Sequence, residues 1–161
     1  MVATRILFVG VGNKFRQDDG AGAYIVEQLS KKCLGSDAHF AHSNGEGAGL
    51  MTLWEGFEQV VLFDALMANG QPGRVVHLSA SNQHIPSDMF KYSSHAFSLA
   101  EAIELSKVLN RLPRQVEIIG IEGRSFDFGE GLSDEVQLAC ATVVSCFESL
   151  SHIANGFFSI P

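Results

Sequence analysis

The sequence predicts an α/β fold, a three-layer α/β/α sandwich around a mixed five-stranded sheet that is mostly parallel with one antiparallel strand. Three observations support this fold class. Short apolar runs alternate along the chain with segments whose apolar residues recur at helical spacing. The first run, residues 4–10, is apolar almost throughout, as is typical of strands buried on both faces of a sheet. One later connection is too short for a parallel crossover, so the sheet has to be mixed.

The first half of the chain contains three predicted strands and two predicted helices. After the strand at residues 4–10, the side chains of Ala21, Ile25 and Leu29 recur at helical spacing. This periodicity predicts an amphipathic helix over residues 20–32. The other elements are a weaker alternating strand at residues 38–43, a short helix within residues 48–57 and a second buried strand at residues 59–65.

The link after this second buried strand indicates the direction of the strand that follows. Only about eight residues separate Asp64 from the strand at residues 73–80, and they include the turn sequence NGQPG. A parallel crossover needs a dozen or more residues, usually with a helix. The strand at residues 73–80 is therefore predicted to be antiparallel to the strand that precedes it.

The second half of the chain predicts two more helices and one more strand. Ser98 and Glu101 have the spacing of a capping box at the start of a helix within residues 95–110. A buried strand is predicted at residues 115–123, and a long final helix runs from about residue 133 to residue 150.

The composition of the 161-residue chain is that of a globular protein, with 46% hydrophobic and 18% charged residues. We expect a single domain over residues 1–150, followed by a C-terminal tail, residues 151–161, to which the sequence assigns no role. The net charge is −7, and no Lys/Arg cluster offsets it. This charge argues against nucleic acids and anionic membranes as partners.

The cysteines and the chain start indicate the compartment. Cys33, Cys140 and Cys146 form no CxxC pair, which favours buried thiols in a reducing compartment over a disulfide framework. The first ten residues do not have the pattern of a signal peptide, and no apolar run is long enough to cross a bilayer. We therefore expect a soluble, cytoplasmic protein.

The loop GVGNKFRQDDGAG, residues 10–22, has the glycine rhythm of a phosphate-binding loop but not its chemistry. The third glycine position of GxGxxG holds Phe15, and Asp18 and Asp19 lie where a pyrophosphate would dock. A dinucleotide is therefore disfavoured as the ligand. We expect Asp18 to be the N-cap of the following helix, and Gly20 and Gly22 to allow close backbone approach, either to the sheet or to a bound chain.

Three side chains are predicted to meet at the carboxyl ends of the parallel strands, where open α/β sheets bind ligands. They are Asp19 after the first strand, Asp64 at the end of the second buried strand and His95 near a helix start. Two carboxylates and an imidazole suit a divalent transition metal, and three protein ligands leave positions open for a partner. Taken singly, Asp64 is equally compatible with a turn, and His95 with a surface or capping histidine.

The ordered motifs of the chain resemble those of the nickel–iron hydrogenase maturation endopeptidases. The resemblance extends to about residue 150 and covers nearly the whole chain. Five sequence motifs carry the resemblance, and none of them alone is specific for this family, but their order along the chain is specific. The motifs are GVGNKFRQDDGAG, NGEGAGLMTL, VVLFDAL, SSHAFSL and GIEGRSFDFGEGLSDEV. Within the last motif, the phenylalanines of residues 125–132 are compatible with either a partner contact or packing within the loop.

This resemblance implies an activity and a ligand set. Members of the family trim a C-terminal extension from the hydrogenase large-subunit precursor after nickel insertion. The family's metal-contacting positions fall on Asp19, Asp64 and His95, with the nickel supplied by the precursor and no organic cofactor. Cleavage would use a water activated either by the metal or by Asp19 or Asp64 as general base.

Two other functions use some of the same features. A non-catalytic, nickel-dependent scaffold for hydrogenase assembly would use the same three residues and leave the precursor intact. A peptidyl-tRNA hydrolase-like esterase would share the opening GxGN loop, but the net charge of −7 and the DDG sequence disfavour it.

Overall fold

The computed structural model describes residues 5–67, 70–90 and 97–151. Five strands form one sheet in the spatial order β2-β1-β3-β5-β4. The strands are β1 (Ile6–Val11), β2 (Ala38–Ser43), β3 (Gln59–Leu66), β4 (Val75–Ser79) and β5 (Gln115–Glu122). The helices are α1 (Ala21–Ser30), α2 (Gly47–Leu53), α3 (Leu99–Val108) and α4 (Asp134–Ser151), with short 3-10 helices at Gln17–Gly20 and Ser87–Phe90.

The sheet is mixed, as predicted. Strands β2, β1, β3 and β5 are parallel to one another, and β4 is antiparallel to β5. The short connection after β3 therefore predicted the direction of β4 correctly. It did not indicate the neighbour of β4, because β5 lies between β3 and β4 in the sheet. A short link restricts the direction of the next strand. It carries no information about whether a strand from later in the chain, here β5, lies between the two strands that it connects.

The two faces of the sheet pack against different helices. Phe8, Phe63 and Ile119 belong to a core shared with buried residues of α1 and α4. Their alternating neighbours, such as Val9 and Leu62, belong to a second core shared with α2 and α3. The side-chain alternation of β-strands thus separates two cores, one on each face. The helices on the two faces and the sheet between them are the three predicted layers.

Two glycines bring the start of α1 onto the sheet. A Cβ atom on Gly22 would lie 2.2 Å from the Phe63 carbonyl oxygen and 2.7 Å from the Val11 carbonyl oxygen. A Cβ atom on Gly10 would lie 2.5 Å from the Gly22 carbonyl oxygen. The predicted close approach to the sheet is therefore confirmed for Gly22, whereas a Cβ atom on Gly20 would meet Lys14 of the loop instead. The close approach of Gly22 places the loop between β1 and α1 directly above the strand ends.

The cysteines differ from expectation in their exposure. All three are free thiols, as predicted, but only Cys140 is buried, while Cys33 and Cys146 are exposed. The exposed pair lies after α1 and on the outer face of α4. None of the helices within the described ranges is both long and apolar enough for a membrane span. Residues 152–161 of the predicted tail lie outside the described residues.

Candidate functional site

A cavity of about 220 Å³ opens beyond the carboxyl ends of β1, β2 and β3. This is the edge of the sheet at which the sequence predicts a ligand site. The loops that follow these strands supply most of the lining. The lining residues include Gly12, Asn13, Arg16 and Asp19 after β1, Asn44 and Gly45 after β2, and Asp64, Ala65 and Met67 around the end of β3.

Asp19 is held in this cavity by the chain that immediately precedes it. Its Oδ2 atom accepts a hydrogen bond from the backbone N–H of Asn13 at 2.8 Å. Gly12 has a φ of 123°, and a Cβ atom there would lie 2.2 Å from the Asp19 carbonyl oxygen. Burial raises the pKa of Asp19, while the Asn13 N–H and the positive charge of Arg16 act to lower it. The glycine therefore allows the loop to fold back over its own start and to present a partly desolvated carboxylate.

Asp64 reaches the same cavity from the central strand. It lies in β3 opposite Gly120 of β5, and only 9% of the residue is exposed. Burial raises the pKa of Asp64 well above its ordinary value, and the negative charge of Asp19 raises it further. The two carboxyl groups are therefore close enough to interact electrostatically. A cation between them would remove both the repulsion and part of the burial cost.

His95 falls in residues 91–96, which lie outside the described residues. Phe90 and Leu99, on either side of that segment, both line the cavity. The described residues contain no group of three or more His, Cys, Asp or Glu side chains arranged to hold a metal ion. Within those ranges the structure brings together Asp19 and Asp64, and the assignment of His95 stays a prediction.

Asp18 is not the N-cap of α1, so that prediction was wrong. Gly20 occupies the N-cap position of α1, which has no side-chain cap. Asp18 is fully buried and accepts hydrogen bonds from the backbone N–H groups of Arg124 at 2.7 Å, Ser125 at 3.1 Å and Ser133 at 2.7 Å. The donors come from the loop between β5 and α4, more than a hundred residues away, so the local cap pattern was misleading.

Further hydrogen bonds join the same two loops. The backbone N–H of Gln17 donates to the Gly129 carbonyl at 2.8 Å, and the Gly129 N–H donates to the Phe15 carbonyl at 2.9 Å. Phe126 is buried in the core, whereas Phe128 is 84% exposed. Packing within the loop is therefore confirmed for Phe126, and a partner contact of Phe128 stays a prediction. Phe126 packs inward, and Phe128 is available at the surface.

Arg16 also lines the cavity, although its position in the sequence predicted no role for it. Its Nε atom donates to the Phe126 carbonyl at 3.2 Å, and its guanidinium carbon lies 4.9 Å from the centre of the Phe128 ring. The available signal was a cation within three residues of the acidic pair. On its own that spacing is also typical of an exposed loop charge.

Comparison with known proteins places these features in a family. The family model described as HycI, hydrogenase maturation protease, matches residues 24–149, a range that includes Asp64 and His95 and begins after Asp19. A Methanocaldococcus jannaschii protein named for this family is 32% identical over 139 residues, covering 83% of this chain and 88% of that protein. The hydrogenase 2 maturation protease of Escherichia coli K12 is 26% identical over 138 residues, covering 83% and 82%.

Solved structures agree with these sequence relatives. The NiFe hydrogenase maturation protease HybD from Thermococcus kodakarensis is similar, with a TM-score of 0.65 at 28% identity over 92% of this chain and 99% of that one. An endopeptidase from Escherichia coli has the same fold, with a TM-score of 0.77 at 23% identity over 88% of each chain. The chain therefore belongs to the hydrogenase maturation protease family, and it is a peptide-bond hydrolase.

Proposed function

We propose that this protein removes the C-terminal extension of a nickel–iron hydrogenase large-subunit precursor after nickel has been inserted. In this proposal Asp19, Asp64 and His95 contact the nickel that the precursor carries. One observation carries the proposal: Asp19 and Asp64 line a single cavity at the strand ends. We further propose that the protein acts in the cytoplasm, on protein substrates rather than nucleic acids or membranes.

The chemistry of the cavity fits a divalent transition metal. Carboxylate oxygens and imidazole nitrogens are ligands that such ions accept. Two ionised carboxylates in a buried cavity repel each other, and a cation favours the ionised form of both. Phe90 and Leu99 flank the segment that contains His95 and line the same cavity, which supports His95 as the third contact. A precursor without nickel would offer these side chains nothing to hold.

Hydrolysis requires a water molecule to attack the scissile carbonyl carbon while a base accepts its proton. The C–N bond then breaks, and a proton is delivered to the leaving amine. Asp19 and Asp64 are the candidate bases, and their raised pKa values bring them nearer the operating pH than ordinary aspartates. Nickel offers a second route, because a bound metal ion acidifies water. Both routes place the reaction between the same two carboxylates.

The test is a mass measurement on two forms of one precursor. The protein is incubated with nickel-loaded and with nickel-free large-subunit precursor, and the product masses are compared. We expect shortening of the nickel-loaded form alone, and loss of that shortening in Asp19→Asn, Asp64→Asn and His95→Gln. A stable complex with an intact precursor would favour the non-catalytic scaffold instead. Equal cleavage of the nickel-free precursor would contradict recognition of the metal.

A further inference from the structure

Arg16 is the sole positively charged side chain among the described residues that line the cavity. Its Nε atom is occupied by the hydrogen bond to the Phe126 carbonyl at 3.2 Å. No Asp or Glu in residues 5–67, 70–90 or 97–151 lies within ion-pair distance of its guanidinium group. The Nη1 and Nη2 groups therefore retain N–H donors that form no ion pair with a described carboxylate, although the charge of Arg16 acts on the Asp19 carboxylate at longer range.

Peptide-bond hydrolysis creates a need for such a group. As water attacks, the carbonyl oxygen of the scissile bond gains negative charge, and peptidases place hydrogen-bond donors where that charge develops. A carboxylate that serves as the general base is ionised when the water attacks, so it accepts hydrogen bonds and repels an oxyanion. The guanidinium of Arg16 carries a positive charge and presents its N–H donors in a fixed plane.

We propose that Arg16 stabilises the oxyanion that forms on the scissile carbonyl oxygen during cleavage of the precursor. This inference rests on the proposed function and adds a catalytic residue to it. The match to the family model begins at residue 24, after Arg16.

The guanidinium is held in place before any substrate binds. Residues on both sides of Arg16 pair with the β5–α4 loop through the Gly129 N–H to Phe15 and the Gln17 N–H to Gly129 hydrogen bonds. The ring of Phe128 lies 4.9 Å from the guanidinium carbon, within the range of a cation–π contact. Donors that are fixed in advance do not have to reorganise during the reaction, which is the condition for efficient charge stabilisation.

A kinetic comparison on the nickel-loaded precursor tests the proposal. Arg16→Met removes the charge at similar length, and Lys14→Met removes a charge from the same loop outside the cavity lining. The single-turnover cleavage rate at saturating protein and the Kd for the precursor are measured separately. We expect Arg16→Met to lower the rate about 100-fold with Kd within about threefold. The Lys14→Met control should match the wild type.

Two further variants guard against a purely structural explanation. In Arg16→Ala, added guanidinium chloride at millimolar concentration should restore part of the cleavage rate, which a lost loop contact would not explain. Phe128→Leu should leave Arg16 charged but less well held, with a rate loss of about two- to fivefold. A variant that cleaves at the normal rate but binds the precursor weakly would make Arg16 an anchor for a substrate carboxylate and overturn the proposal.

Cleavage by the wild-type protein distinguishes a failure of the proposed function from a failure of the role of Arg16. Failure of the wild-type protein to shorten the nickel-loaded precursor would overturn the proposed function and this role of Arg16 with it. Normal cleavage by the wild type and by Arg16→Met alike would overturn the role of Arg16 alone.

Discussion

Asp18 and Ser133 are 115 residues apart in the chain, yet Ser133 donates two hydrogen bonds to the Asp18 carboxyl group. Its backbone N–H reaches Oδ1 at 2.7 Å, and its hydroxyl reaches Oδ2 at 2.9 Å. Ser133 immediately precedes α4, so Asp18 fixes the start of that helix. Because Asp18 directly precedes Asp19, its hydrogen bonds also connect the loop that carries Asp19 to the loop between β5 and α4.

We expect Asp18→Asn to destabilise the protein by about 2–4 kcal/mol, since hydrogen bonds to a charged group are stronger than neutral ones. An asparagine retains one acceptor oxygen, and its NH2 group would face the backbone N–H donors of Arg124 and Ser125 or of Ser133. For a chain of this length, the midpoint of thermal unfolding should fall by about 5–10 °C. Calorimetry or circular dichroism measures this change.

The matched control is Asp134→Asn, which alters an exposed carboxylate in the first turn of α4. Loss of this charge should lower the free energy of unfolding by only a few tenths of a kcal/mol, because an exposed charge near a helix start contributes little to stability. Equal midpoints for the two variants would show that the buried hydrogen bonds of Asp18 do not matter for stability.

The general architecture could be predicted from the sequence because its signals are local. Apolar runs, helical periodicity and the length of the link after β3 indicated the strands, helices and direction of β4. The insertion of β5 between β3 and β4 could not be predicted, since strand order depends on packing between distant segments.

The same contrast applies to the site. Asp19 and Asp64 could be predicted to share a cavity because Asp19 follows β1 and Asp64 lies near the end of β3, and the carboxyl ends of parallel strands meet at one edge. The hydrogen-bond partners of Asp18 and the position of Arg16 in the cavity could not be predicted from the sequence. Both depend on a loop that is more than a hundred residues further along the chain and has no complementary pattern in sequence.

Gly22→Ala should prevent α1 from packing on the sheet. A Cβ atom there would lie 2.2 Å from the Phe63 carbonyl oxygen and 2.8 Å from the Val11 backbone nitrogen, and backbone atoms have little room to move. We expect the free energy of unfolding, measured by urea denaturation, to fall by about 1–3 kcal/mol. Gly49→Ala in α2 is the control, because its Cβ would meet only the Glu46 side chain, at 3.3 Å. Similar stability of both variants would contradict the close approach of α1 to the sheet.

Cys140 should be unreactive in the folded protein, unlike Cys33 and Cys146. Burial, with a smaller effect of the Asp18 charge, raises the pKa of Cys140 to about 12, so the thiol stays protonated at all pH values used in assays. At pH ~8, a disulfide reagent such as DTNB should label two thiols rapidly and the third at least about 100-fold more slowly. The double variant Cys33→Ser/Cys146→Ser should show no rapid phase until denaturant is added. A rapid phase in that variant would mean that Cys140 is accessible in the native fold.

Asp64→Asn should stabilise the free protein while abolishing cleavage. The pKa of Asp64 is raised in the folded state, first by burial and then by the Asp19 charge, so the folded state holds a proton that the unfolded chain has lost. Stability therefore falls as pH rises above the ordinary aspartate pKa, and continues to fall until the folded-state pKa is passed. Asparagine has no charge to desolvate. The Asp64→Asn variant and the wild type should therefore be equally stable near pH ~3, and without metal the free energy of unfolding of the variant should be higher by about 1–2 kcal/mol at pH ~7.

Thermal unfolding at several pH values tests this expectation, with Asp127→Asn as the control on an exposed loop carboxylate. The control should follow the wild type, since a solvated aspartate has little effect on the pH dependence of stability. Cleavage of the nickel-loaded precursor is measured on the same samples, so that the gain in stability and the loss of activity are compared directly. Lower stability of Asp64→Asn at neutral pH would show that the ionised carboxylate is favoured by its surroundings. That result would remove the electrostatic reason for placing a cation between Asp19 and Asp64.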